Sequence, residues 1–180
     1  MRHIVISTLL AIFVMGCGGS DPKKPTIKVD PRTAIKIHQD IPYAKRARVE
    51  PSIIRTECDL RDKLSKYIHA YSVGEGIGVI RKNSVKRNSK GKVLLVEITD
   101  AVSIRIGMGH SKYTMIKGTL YKNGKKQGGF TAARRSGGGA FGFAKKSCDV
   151  LGRTVKILGN DVASWLKHPV NGAHLGVRVK

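Results

Sequence analysis

The chain has 180 residues and sets 34 Lys and Arg against 12 Asp and Glu, a formal charge of +22. Aromatic residues make up only 6%, so a core must be built from Val, Ile and Leu. Few rings are interleaved with the cations, which argues against a stacking platform for single-stranded nucleic acid. The length suits one domain with a real core and shows no internal repeat.

Met1-Arg2-His3 is a short basic start, and an apolar run from Ile4 to Met15 follows, broken only by Ser7 and Thr8. With a small residue, Gly16, before the cut, this describes a secretory signal peptide over residues 1–16. The run is about a dozen residues, short of the roughly 20 that cross a bilayer as a helix. Val14-Met15-Gly16-Cys17 resembles the bacterial lipobox and departs from it at Met15. The resemblance implies cleavage before Cys17, a diacylglyceryl group on its thiol and an acyl chain such as palmitate on its amine. Two or more chains hold a protein stably to a membrane. Residues 17–25, with Gly18, Gly19, Ser20, Pro22 and Pro25, read as a lipidated flexible tether. Gly18, where an Asp resembles an inner-membrane retention signal, favours the periplasmic face of the outer membrane.

Residues 26–180 read as a single domain. Thr26–Val29 and Ala34–Ile37 alternate as short strands. Residues 53–71 read as one helix, with Ile54, Cys58, Leu64, Ile68 and Tyr71 near one face and Gly74 and Gly76 as its stop. Ile77–Ile80 is a short strand, and a basic loop runs from Lys82 to Lys92. Val93–Ile98 is a buried strand, continued by Val102, Ile104 and Ile106 in alternation. Lys112–Tyr121 and Lys125–Ala133 flank Asn123-Gly124, a strong hairpin signal because both turn residues need positive φ. After the Gly-rich segment 136–143, Ser147–Lys167 is the best helix, with Ser147 as N-cap, Cys148, Leu151, Val155, Leu158, Val162 and Leu166 on one face, and Pro169 beyond its end. A late strand is placed at Leu175–Val179. These elements predict an α+β fold: a two-layer sandwich of a mostly antiparallel sheet with two amphipathic helices on one face.

The remaining cysteines, Cys58 and Cys148, form an even pair, and in an oxidising compartment that points to a disulfide. A metal at either would need further ligands, and no Cys or His lies at chelating spacing, so no metal or other cofactor is expected. The cations cluster as Arg81, Lys82, Lys86 and Arg87, as Lys122, Lys125 and Lys126, as Arg134-Arg135 and as Lys145-Lys146, with a further group at Lys45–Arg48. From Ala101 onward only Asp149 and Asp161 are acidic, against 15 Lys and Arg. Such a field draws polyanions. Outside the inner membrane these are lipopolysaccharide, anionic phospholipid, acidic glycan and occasionally DNA. A solvated basic surface without a specific ligand is the alternative. The stretch Gly137–Ser147 fails the phosphate-loop pattern, because Phe143 and Ala144 follow Gly142 where Lys and Ser/Thr are needed. It reads as a connection or, with Lys145 and Lys146 at a helix N-terminus, as a weaker anion site. No Gly-x-Ser-x-Gly elbow and no convincing carboxylate pair occur, so no catalytic residue is assigned.

Three features carry a family resemblance: Val93–Ile98 closing on Thr99-Asp100, the Gly-rich approach from Ser136 to Cys148, and Ala163-Ser164-Trp165-Leu166 followed by Pro169. On these the chain resembles an uncharacterised group of bacterial envelope lipoproteins, similar in outline to accessory lipoproteins of secretion and envelope assembly, including the soluble domain of the curli-secretion lipoprotein. The resemblance implies an α+β envelope domain that binds a protein partner without catalysis. A polyanion-binding lipoprotein is the second reading, and a cell-wall-acting enzyme the third.

Overall fold

The computed structural model describes residues 27–52, 54–106, 109–136 and 146–177. Cys17, the signal and tether segments, the glycine stretch and Lys145 lie outside the described residues.

Asn123 and Gly124 adopt φ of 49° and 78°, the left-handed geometry that matches hairpin twist. They fold β5 (Gly109–Lys122) onto β6 (Lys125–Ser136) in antiparallel register. The two sequence segments read as a strand and its continuation are one strand, β4 (Lys92–Ile106), antiparallel to β5. A register shift between Ile98 and Asp100 turns Ala101 back into the core after Leu94, Val96 and Ile98. These three long strands form the middle of the sheet.

Four short strands complete it: β1 (Ile35–His38), β2 (Tyr43–Glu50), β3 (Val79–Lys82) and β7 (Ala173–Gly176). The order is β3-β1-β4-β5-β6-β7, with β2 also on β4. Here the expectation of a mostly antiparallel sheet is corrected. β1 pairs parallel with β3 and β4, β2 with β4, and β7 with β6. The sheet is mixed because helices, not tight turns, connect its outer strands, and such crossovers deliver parallel neighbours. Helix α2 (Leu60–Gly74) lies between β2 and β3, and α3 (Ser147–Trp165) between β6 and β7.

The helix expected over 53–71 is interrupted. α1 (Ile54–Glu57) is one turn, and α2 restarts after Asp59, which sits at φ 49°. The break buries Cys58 completely and places it against the first turn of α3, where it is disulfide-bonded to Cys148 across 4.7 Å between Cα atoms. Ser147 is not the N-cap of α3. Lys146 holds that position without a side-chain bond, because the Ser147 hydroxyl meets the Ser103 hydroxyl of β4 at 2.7 Å. A second hydroxyl pair, Thr114 with Thr154 at 2.7 Å, fastens α3 to β5 inside the core. Of the strand expected over Thr26–Val29, the described residues 27–29 are not extended in a sheet; Val29 instead packs on Gly78 before the turn at Asp30. The core joins Leu94, Ile98 and Ile116 of the sheet to Leu64 and Ile68 of α2 and Leu151, Val155, Leu158 and Val162 of α3. The α2–α3 contact is close because Gly159 has no side chain where the Tyr67 backbone passes.

Candidate functional site

Alternation along β4, β5 and β6 sends one set of side chains to the helices and the other to the opposite face of the sheet. That opposite face is open among the described residues and holds a trough of about 490 Å³. Its floor follows from the register. Glu97 stands opposite Lys117, Lys117 opposite Thr131, and Thr131 opposite His174, making one polar row across four strands. Lys117 Nζ lies 3.1 Å from Glu97 Oε2, and Thr131 Oγ1 lies 2.8 Å from His174 Nδ1. The next row is Leu95, Thr119 and Gly129. Where Gly129 leaves space, the Lys126 chain lies over it, its Cε 3.4 Å from the position a Cβ would take. Tyr121 closes that side, with the Arg87 guanidinium stacked 5.2 Å from its ring centre. Gly172 and Ala173 form the far wall. The trough thus offers an apolar strip, hydroxyl and imidazole hydrogen-bonding groups, and cations at one side.

The sheet brings part of the basic clusters together. Loop 83–91 and the hairpin turn are bonded to each other: Asn123 N–H donates to Gly91 O at 2.9 Å, and Gly91 N–H to Asn123 Oδ1 at 2.8 Å. Arg87 Nε donates to Gly124 O at 3.2 Å, and Lys36 Nζ to Lys90 O at 2.7 Å. Lys86, Arg87, Lys90, Lys92, Lys122 and Lys125 are therefore exposed on one end of the molecule, with Lys126 between this end and the trough.

Other predicted members do not join them. Arg81 is turned to α2, where it bonds Asp62 and reaches Ser65 Oγ at 2.9 Å and Gln39 O at 3.1 Å. Arg134 forms a two-pronged bond to Asp161 of α3 at 2.7 and 2.6 Å, which raises its already high pKa. Both arginines hold helices to the sheet, and neither is among the cations that the loop and the turn bring together. Lys82 ends the edge strand β3, while Arg135 and Lys146 lie towards the opposite ends of β6 and β4 from the turn. The polar row itself was not singled out from the sequence. Its signal was the outward alternation of Lys117, Thr119 and Thr131, which the Asn123-Gly124 turn puts side by side.

Burial works to raise the Asp62 pKa, but hydrogen bonds from Lys66 and Arg81 outweigh it and hold the carboxyl below its usual range. A depressed folded pKa contributes stability above the unfolded value near about 3.9, lost as pH falls through the folded value. Asp62→Asn is therefore expected to lower the urea midpoint at pH 7 and to differ less from the parent below about pH 3. An equal difference at both pH values would show that the carboxylate charge is not what Arg81 reads.

No family model and no curated protein matches the sequence. Solved structures do match in shape. Protein XCC0632 from Xanthomonas campestris, of the family model DUF330, superposes with a TM-score of 0.56 at 12% identity, covering 79% of this chain and 91% of that one. Lipoprotein GNA1162 from Neisseria meningitidis gives 0.45 at 14%, covering 73% and 99%. A minor lipoprotein from Acinetobacter baumannii gives 0.44 at 13%, covering 75% and 92%. The chain shares its fold with the DUF330 protein.

Proposed function

We propose that this chain is a membrane-tethered envelope lipoprotein whose folded part, residues 26–180, is a single non-enzymatic domain that binds a protein partner as an assembly accessory. The observation that carries it is the open trough on β4–β7, a preformed concave face whose floor joins a polar row to an apolar strip, with one cationic side. In this reading the domain has two layers: helices seal one face of the sheet, and the other is left for the partner. Lipid on Cys17 supplies the membrane attachment, at the periplasmic face of the outer membrane, and no described helix is long and apolar enough to cross a bilayer. The Cys58–Cys148 disulfide fits an oxidising compartment.

A photo-reactive residue at Thr119 or Thr131 in living cells tests the reading. The expected result is a discrete protein adduct of constant mass from both positions and none from Arg153, on the exposed side of α3. Adducts from all three positions alike, or from none, would remove the trough as the binding face. The second reading, binding of a polyanion, is favoured by the convergence of loop 83–91 and the hairpin turn.

A further inference from the structure

The strands β1, β3 and β4 run parallel, with Ile35 beside Val79 and Lys36 beside Val93, so their starts share one end of the molecule. The described chain enters at that same end. Val29 Cγ1 lies 3.5 Å from where a Cβ on Gly78 would stand, and Arg32 O lies 4.0 Å from the equivalent point on Gly91. Gly91 is the residue that bonds the hairpin turn. The entry of the chain and the cationic end are thus adjacent. Among the described residues, two carboxylates lie on the segments that reach this end, and both are paired: Asp30 with Arg32 at 3.4 Å, and Glu75 with Lys167 at 2.6 Å. Lys86, Lys90, Lys92, Lys122 and Lys125 are left as exposed ammonium groups.

Ten Cα–Cα steps lead from Cys17 to Ile27, and such a stretch spans at most about 35 Å and on average about 17 Å. We infer that the end built by loop 83–91 and the Asn123-Gly124 turn docks on anionic phospholipid headgroups, seating the domain on the membrane that holds its lipid. This rests on the polyanion reading and takes its geometry from the lipidation of Cys17. Strongly hydrated lysines, with the Tyr121 ring stacked by Arg87, suit a diffuse layer of phosphate charge rather than stacked bases. The short reach keeps them within a few Debye lengths of the surface, each about 8–10 Å at moderate salt. With this end down, the open trough stands on a side wall and stays accessible to a partner.

The full-length Cys17→Ser chain, which cannot be lipidated there, separates the two ideas. It is sedimented with vesicles of phosphatidylcholine alone or with phosphatidylglycerol added, so that any contribution from the apolar leader is the same in both. Charge-dependent binding is expected with phosphatidylglycerol only, weakening steeply with salt. Each lysine lost should weaken it about fivefold, and the triple variant Lys86→Glu, Lys122→Glu, Lys125→Glu more than about a hundredfold. Arg135→Glu with Lys146→Glu, towards the opposite end, should bind nearly as the parent does. Equal losses from both variants, or no preference for phosphatidylglycerol, would overturn the inference. So would binding to lipopolysaccharide or DNA in its place. Metabolic labelling of the unsubstituted chain with a palmitate analogue reports on Cys17 alone, so a missing anchor and a missing docking end give different results.

Discussion

Reducing the Cys58–Cys148 disulfide is expected to lower the unfolding free energy by about 4–5 kcal/mol. The cross-link closes a loop with a sequence separation of 90, and in the chain-entropy model a loop of that size restricts the unfolded chain by about this amount. Against a total of about 5–15 kcal/mol for an ordinary domain, that is a large share. Its position adds a second reason. Cys58 is fully buried at the α1–α2 break, and Cys148 lies in the first turn of α3. Losing the bond leaves a thiol beside the core and frees the start of α3. Urea unfolding with and without reductant, compared with Cys58→Ser/Cys148→Ser, checks this. A midpoint that hardly moves would mean that packing of α3 alone sets its place.

Gly159→Val should be strongly destabilising, at about 3 kcal/mol. A Cβ there would fall 2.5 Å from Tyr67 Cβ, 2.9 Å from the Tyr67 carbonyl carbon and 3.1 Å from Ile68 N. Two of these are backbone atoms, so no rotamer can make room, and α2 and α3 must separate along their whole contact. Gly152 on the same helix supplies the contrast. Nothing lies within 4 Å of its added Cβ, so Gly152→Ala should stabilise the helix by up to about 1 kcal/mol. Thermal unfolding of the two variants should move in opposite directions. A parallel shift would refute the close-approach account.

What the sequence made legible was what local chemistry controls. The hairpin turn was visible because Asn-Gly is suited to two successive positive φ angles. α3 was visible because six apolar residues repeat at helical spacing. The disulfide was visible because, with Cys17 set apart by the lipobox resemblance, the remaining cysteines form an even pair. Pairings between distant segments were not visible. β2 buries only Val49, and its Lys45-Arg46-Ala47-Arg48 stretch looks like a solvated cluster. Its strand character comes from β4, about fifty residues on. Arg81 and Arg134 looked like free cations because their carboxylates lie 19 and 27 residues away. The turn of the chain at Asp59 left no trace, since Ile54 and Cys58 before it and Leu64 and Ile68 after it read as one helical face. For the site, the outward alternation was present in the strands, but the trough needed the register of four strands and a wall that arrives after α3.

That wall is β7, which has no member among the fully buried side chains. It is held by four register positions on β6, by the Thr131–His174 side-chain bond, by Gly129 N–H to Val170 O at 3.1 Å and Val177 N–H to Ala133 O at 3.0 Å, and by the partly buried Ala173 and Leu175. Residues with so few buried contacts open at a free-energy cost well below that of global unfolding. In amide exchange, Ala173–Gly176 should therefore behave as a separate, early-exchanging unit while β4 and β5 stay protected. The trough would then have one rigid wall and one that can detach and re-form, so the width it offers a partner is adjustable without disturbing the core beneath it.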